Sequence, residues 1–183
     1  MTAHYKILCT GNPLHIGIAK ELNGIFPNID FISRSNGYDF SDSASVDKFK
    51  EIIGNYNIFI NHSQLVDNMQ EELLIETAKL WDEGHVINIG SVLEINNIQW
   101  LDPKTAEEKC SLRARSLILR NEKFKTTHMI IGGFNDQYES EGRSNPKNIA
   151  LMIKWILESN IDIPLIWVDK INDARNKKWL EDT

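Results

Sequence analysis

Gly11 and Gly17 frame the first stretch in which residue type and spacing could do chemistry, "TGNPLHIG". It lies between an apolar run, "KILCT", and an amphipathic one. Gly11 allows a sharp turn and lets a ligand approach the backbone. Gly17 would let the following helix pack near a sheet. The free amides at that helix start, together with its dipole, suit a pyrophosphate. A tight strand-to-helix turn with no ligand has the same pattern, and two glycines do not separate these readings. His15 could donate a hydrogen bond to a phosphate or simply lie in solvent.

Other chemistries find less support. Cys9 and Cys110 both lie in apolar surroundings, which favours two buried free thiols over a disulfide. Cys/His spacing of the zinc type is absent, so no metal is expected. The formal net charge of -6 argues against nucleic acid, whose phosphates call for clustered Lys and Arg. No apolar run approaches the roughly 20 residues of a membrane span. "MTAHYK" lacks the apolar region of a signal peptide. A reducing, cytoplasmic setting is therefore expected, without a membrane partner.

The chain of 183 residues, 42% hydrophobic and 25% charged, suits a single globular domain over 1–183. Strand-like runs are "KILCT", "IDFIS", "NIFIN", "HVINIGS", "HMIIGG" and "IPLIWVD". Helix-like segments alternate with them. The first covers 16–24, with Ile16, Ala19 and Leu22 inward. The second is "SVDKFKEIIGN", with Ser45 as cap and Val46, Phe49 and Ile53 at helical spacing. The third runs from Asn68 to Glu83 and is ended by Gly84. The fourth starts at Asp102-Pro103 and runs to about Arg120. The fifth starts at Asn145-Pro146. This alternation predicts an α/β fold, a Rossmann-like doubly wound parallel sheet of about six to seven strands with helices on both faces. Residues 135–145 are the most loop-like and follow a strand on the ligand-binding end of such sheets.

Along nearly its whole length the chain resembles the short-chain dehydrogenase/reductase family. The family loop Thr-Gly-x-x-x-Gly-x-Gly is matched by Thr10, Gly11, Ile16 and Gly17, with Asn12 inside it and His15 in place of the middle glycine. "SRSNGYDFSD" places Ser33, Arg34 and Ser35 after the second strand. Asp39-Phe40 stands at the family's adenine-holding pair. Asn61 is what remains of Asn-Asn-Ala-Gly. "INIGS" places Ser91 at the catalytic serine. "TAEEK" places Lys109 at the family lysine, with Thr105 at the tyrosine. "IIGGF" keeps Gly133 of the Pro-Gly segment, with Gly132 in place of proline.

The resemblance implies a dinucleotide cofactor bound by these residues. Ser91 would orient a carbonyl, and Lys109 would bind the nicotinamide ribose and tune the proton donor. Asn68 is the nearest position to a family asparagine that organises a proton-relay water, and is equally a helix cap. Ser33 stands where an acid would select NAD, and the planar Arg34 beside it suits a 2′-phosphate, so NADP(H) is expected over NAD(H). Thr105 is a weaker acid than a phenol and shorter. Losing a positioned acid, which contributes about 10²–10⁴-fold, raises a barrier by roughly 3–5 kcal/mol. Tyr138 could reach the site from another direction or lie in solvent. The chain is short for the family, with the segment 61–91 and the substrate lid after Gly133 reduced.

Three functions stay open: an NAD(P)(H)-dependent oxidoreductase with weakened catalysis and an unknown small-molecule substrate, a non-catalytic NADP(H)-binding sensor or regulator, and an interaction protein that keeps only the fold. Family members commonly pair through the helices that correspond to 68–83 and 103–120, so a homodimer is expected.

Overall fold

The computed structural model describes residues 5–63, 67–95, 102–132, 145–159 and 161–168. Six strands form one parallel sheet: β1 (Ile7–Thr10), β2 (Ile29–Ile32), β3 (Ile58–Asn61), β4 (Gly84–Ile89), β5 (Phe124–Ile131) and β6 (Leu165–Val168). Between them run α1 (Ile18–Ile25), α2 (Ser43–Ile53), α3 (Met69–Leu80), α4 (Pro103–Leu119) and α5 (Pro146–Glu158). Among the described residues no helix is long and apolar enough to cross a membrane.

Parallel strands buried on both faces explain the unbroken apolar runs. Side chains alternate between the faces with a period of two. Ile7, Cys9, Ile58, Ile60, Ile87, Ile89, Met129 and Ile131 point to one side, where α1 and α5 cover them through Ile18, Leu22, Ile149 and Ile153. Leu8, Phe59, Val86 and Phe124 point to the other, against Val46, Phe49 and Ile53 of α2, Leu73 and Leu74 of α3, and Leu112 of α4.

The strand order is β2-β1-β3-β4-β5-β6. Removing the outermost strand of the Rossmann order 3-2-1-4-5-6 and renumbering gives 2-1-3-4-5, which β6 extends at the far side. β2 is thus an edge strand. The chain order reverses between β1 and β3, and this switch point opens a crevice at the strands' carboxyl ends.

Several local expectations are corrected. Ile16 is 61% exposed, because α1 starts only at Ile18. Asp42, not Ser45, caps α2: its side chain accepts from the Ala44 amide at 3.1 Å, and Ser45 is buried within the helix. Gly84 does not end α3. The helix stops at Leu80 because Trp81 turns extended and donates its indole N–H to the Ile53 carbonyl. Gly84 opens β4 at φ 146°, where a Cβ would lie 2.5 Å from the Trp81 ring. Cys9 and Cys110 are not joined in a disulfide; Cys9 is buried, whereas Cys110 is only half-buried. Leu73 and Trp81 lie in the chain's own core. On α3 and α4 the outward apolar side chains are Leu80, Leu117 and Ile118.

Candidate functional site

The crevice at the ends of β1, β2 and β3 is a cleft of about 720 Å³, within the roughly 300–1,000 Å³ usual for small-molecule and cofactor sites. Thr10, Gly11, Asn12, His15, Ile16 and Gly17 line it from the first loop. Ser33, Arg34, Ser35, Asp39 and Phe40 line it from the segment after β2, and His62 and Ser63 from the end of β3.

The first loop is built largely by its own side chains. The Thr10 hydroxyl accepts from the amides of His62 and Ser63 at 2.8 and 2.9 Å, tying the end of β1 to the end of β3. Asn12 Oδ1 accepts from the Leu14 amide, and Asn12 Nδ2 donates to Ser35 Oγ at 3.2 Å, bridging to the loop after β2. Gly11, at φ 134°, has no room for a side chain: a Cβ would lie 3.0 Å from His62 Nδ1 and 3.1 Å from Ala19. Gly17 needs its freedom for a different reason than expected. A Cβ there would meet nothing within 4 Å, but its φ of 142° suits only glycine. His15 is exposed at the rim, its amide donating to the Asn12 carbonyl. The first amides of α1 have no partner within the helix and carry the positive end of its dipole.

Arg34 opens a single 3₁₀ turn, Arg34–Asn36, and is exposed on the cleft wall. Ser33 and Ser35 share a hydrogen bond of 2.8 Å. Asp39 accepts from the Ser41 amide and hydroxyl, which holds its carboxyl below the usual carboxylate range, with a smaller contribution from Arg34. Phe40 is buried against Tyr38 and Phe49. These residues fit a dinucleotide: crowded glycine backbone, a helix N-terminus and a cation meet in one cleft.

A second group lies where the end of β4 meets the first half of α4. Lys109 is 7% exposed; its Nζ donates to Gln70 Oε1 and, at 3.3 Å, to the Ile89 carbonyl. Burial pushes its amine down to about 8, against the opposing pull of Glu94 and Glu108. Thr105 sits one helical turn earlier on the same face. Its amide donates to the Asp102 side chain that caps α4. Ser91 Oγ accepts from the Leu93 amide, and the Ser91 amide donates to Glu94 Oε1 at 3.0 Å. Asn61 is buried, donating to the Gln70 carbonyl and to Asn88 Oδ1. Gly132 ends β5, its amide bound to the Val168 carbonyl. Gly133 and Tyr138 lie outside the described residues.

Asn68 is exposed at φ 58° and makes no side-chain bond to α3. Gln70, two residues on, is the buried side chain that reaches Lys109 and also donates to the Asn61 carbonyl at 2.8 Å. Sequence reasoning missed it because a glutamine on an amphipathic helix carries no signal of burial. It also missed His62, whose Nδ1 donates to the Thr10 carbonyl. Desolvation, with the Lys109 charge, holds that imidazole below its ordinary value.

No family model matches the sequence, and no curated protein does. Solved structures match its fold. The bulky-bulky ketone specific alcohol dehydrogenase from Comamonas testosteroni superposes with a TM-score of 0.72 at 12% identity, covering 99% of this chain and 92% of that one. The 3-alpha-hydroxysteroid dehydrogenase from Pseudomonas sp. B-0831, complexed with NADH, gives 0.68 at 12% identity, covering 94% and 98%. A short-chain dehydrogenase/reductase from Vibrio parahaemolyticus gives 0.63 at 15% identity, covering 90% and 100%. At these identities the likeness establishes the fold: a Rossmann-like domain of the kind found in short-chain dehydrogenases/reductases.

Proposed function

We propose that this chain is a divergent short-chain dehydrogenase/reductase that binds NADP(H) in the cleft at the ends of β1, β2 and β3 and transfers hydride only weakly. The carrying observation is the cleft itself: residues from separate loops, matched one by one to dinucleotide-binding positions, line a single crevice at the sheet's switch point. The NADH carried by one structural neighbour supports the cofactor class. Arg34 on the cleft wall supports the 2′-phosphorylated form.

When bound, the cofactor would supply or accept the hydride. The chain's own residues would do the rest. Ser91 Oγ accepts from the Leu93 amide, which leaves its hydroxyl proton free to orient a substrate carbonyl. Lys109 presents an ammonium next to the end of β4. Thr105 supplies an alkyl hydroxyl where a phenol would give up its proton, and this is the weak step.

A second reading, binding without turnover, is favoured by one observation: Lys109 Nζ is already held by Gln70 and the Ile89 carbonyl. Titration calorimetry with NADPH and NADH tests the shared part of both readings. Turnover assays with aldehydes, ketones and quinones then separate them. Absence of binding to either nucleotide would leave the interaction-protein reading. Pairing through helices 68–83 and 103–120 would rest on Leu80, Leu117 and Ile118, and a monomer by light scattering at roughly tens of micromolar would reject it.

A further inference from the structure

We infer that His62 reads a ribose hydroxyl of the bound dinucleotide: its ring, fixed by Thr10, presents Nε2 to the cleft as a hydrogen-bond acceptor. This contact deepens the dinucleotide reading of the cleft and rests on it.

β1 and β3 run side by side with Cys9 against Ile60, so Thr10 and His62 meet where the two strands end. The Thr10 hydroxyl accepts from the His62 amide at 2.8 Å, and the Thr10 carbonyl faces His62 Nδ1 at 3.1 Å. A carbonyl can only accept, so Nδ1 carries the proton. In a neutral imidazole the other nitrogen is then a bare acceptor. Desolvation keeps the ring neutral at pH 7, with the Lys109 charge adding to it and the Thr10 bond opposing it. The Nδ1–Cε1 edge lies against Gly11, where a Cβ would stand 3.0 Å from Nδ1 and 3.5 Å from Cε1. Nε2 meets no hydrogen-bonding group among the described residues, and it is not one of their buried polar atoms left without a partner. His62 is half-buried and lines the cleft, so Nε2 opens there.

A bare nitrogen attracts a donor and repels a phosphate oxygen, which carries lone pairs of its own. That separates His62 from its neighbours in the cleft. The loop amides and Arg34 offer donors to anions, and the Asp39 carboxylate is already engaged by Ser41. A dinucleotide brings three kinds of donor: ribose hydroxyls, the adenine amine and the nicotinamide carboxamide. Position chooses among them. Asp39 and Phe40, matched to the adenine-holding pair, come from the β2 side of β1, whereas His62 comes from the β3 side. His62 packs on Gly11, whose backbone lets a pyrophosphate approach. The groups joined directly to a pyrophosphate are riboses, so a ribose hydroxyl is the donor that comes to Nε2. Tying β3 to β1 asks only for the Nδ1 proton, which a shorter amide side chain also supplies. The whole imidazole is needed for what Nε2 adds.

Nitrogen-15 NMR of histidine-labelled protein reads each imidazole nitrogen. The His62 signals are assigned by their loss in His62→Asn, or in His62→Gln if the first variant does not fold. At pH 7 without nucleotide, His62 should show a protonated Nδ1 and a bare Nε2. Saturating NADPH should move the Nε2 signal towards the protonated range, as accepting a hydrogen bond does, and leave Nδ1 in place. A proton on Nε2 in the free protein, an Nε2 signal unmoved by bound NADPH, or a ring protonated on both nitrogens, as a phosphate contact requires, overturns the inference. His62→Asn keeps a donor for the Thr10 carbonyl and lacks Nε2. Its NADPH affinity by calorimetry should fall about three- to tenfold, the loss of one neutral hydrogen bond. His62→Gln, whose amide oxygen reaches the Nε2 position, should recover part of that loss. Equal NADPH affinity in wild type and His62→Asn overturns the inference and leaves the proposed function standing. If the wild type binds neither NADPH nor NADH, the proposed function fails and the inference with it.

Discussion

Replacing Arg34 by alanine separates cofactor recognition from folding. The turn that carries Arg34 is held by backbone bonds, Asn36 N–H to the Ser33 carbonyl and Gly37 N–H to the Arg34 carbonyl. Asn36 adds its side chain, donating to the Phe31 carbonyl and accepting from the Ser33 amide. None of these bonds needs the guanidinium, so Arg34→Ala should fold as the wild type does. A charge-assisted hydrogen bond contributes about 1.5–3 kcal/mol, and exposure of Arg34 places the expected loss near the lower end. Asp39 acts in the same direction. Its carboxyl stays ionised because Ser41 holds it, and without the arginine it repels a 2′-phosphate unopposed. NADPH affinity should therefore fall about ten- to thirtyfold, which corresponds to roughly 1.4–2 kcal/mol. NADH affinity should barely change. Calorimetric titration at roughly 0.02 and 0.2 M salt should show the NADPH advantage shrinking as salt rises, since the pair is exposed to screening. Equal wild-type affinities for the two cofactors, or an equal loss of both in Arg34→Ala, would refute the assignment.

Thr105→Tyr should raise carbonyl reduction from background, because residue 105 lies one turn from Lys109 on the same helix face; Ser91→Ala should abolish the gain, and a robust wild-type turnover that survives both Ser91→Ala and Lys109→Ala would put the chemistry elsewhere. Lys109→Met should stabilise the fold at pH 7 by up to about 3 kcal/mol, since the buried amine, lowered to about 8, binds its proton less tightly than in the unfolded chain. That penalty is complete below pH 8 and relieved as pH rises towards the unfolded value, so denaturant midpoints of wild type and variant should converge in alkali; destabilisation at pH 7 would make Lys109 structural. His85 is pushed down to about 4 by burial, with Lys125 contributing further. Its unfolded form takes up a proton first, so stability is full above the unfolded value near 6.5 and is lost as pH falls towards 4, by at most about 3 kcal/mol. His85→Gln, which keeps a partner for the Thr127 hydroxyl, should flatten that decline in urea melts, and an unchanged slope would exclude His85 as its source.

The parallel sheet and the helices on its two faces were legible in the sequence because they follow from local rules. Apolar runs such as "NIFIN" and "HMIIGG" are short and rich in β-branched residues, as strands buried on both sides are. Asp102-Pro103 and Asn145-Pro146 start helices by side-chain capping that acts within three residues. The cleft was legible too, since its glycines and Arg34 sit at fixed distances from strand ends.

Tertiary structure decided what depends on contacts between distant segments. The edge position of β2 follows from the strand order, which no local pattern encodes. Gly84 reads as a helix stop but is required by the Trp81 ring, and Gly90 reads as an ordinary strand end but makes room for Glu94 and His128. Gln70 looks like the polar side of a surface helix and Glu94 like part of a surface turn, yet both are buried, the first against Lys109 and the second against His128. A polar residue's burial is set by whether its partners, 39 residues away for Gln70 and 34 for Glu94, arrive to satisfy it. Only the folded chain brings those partners together.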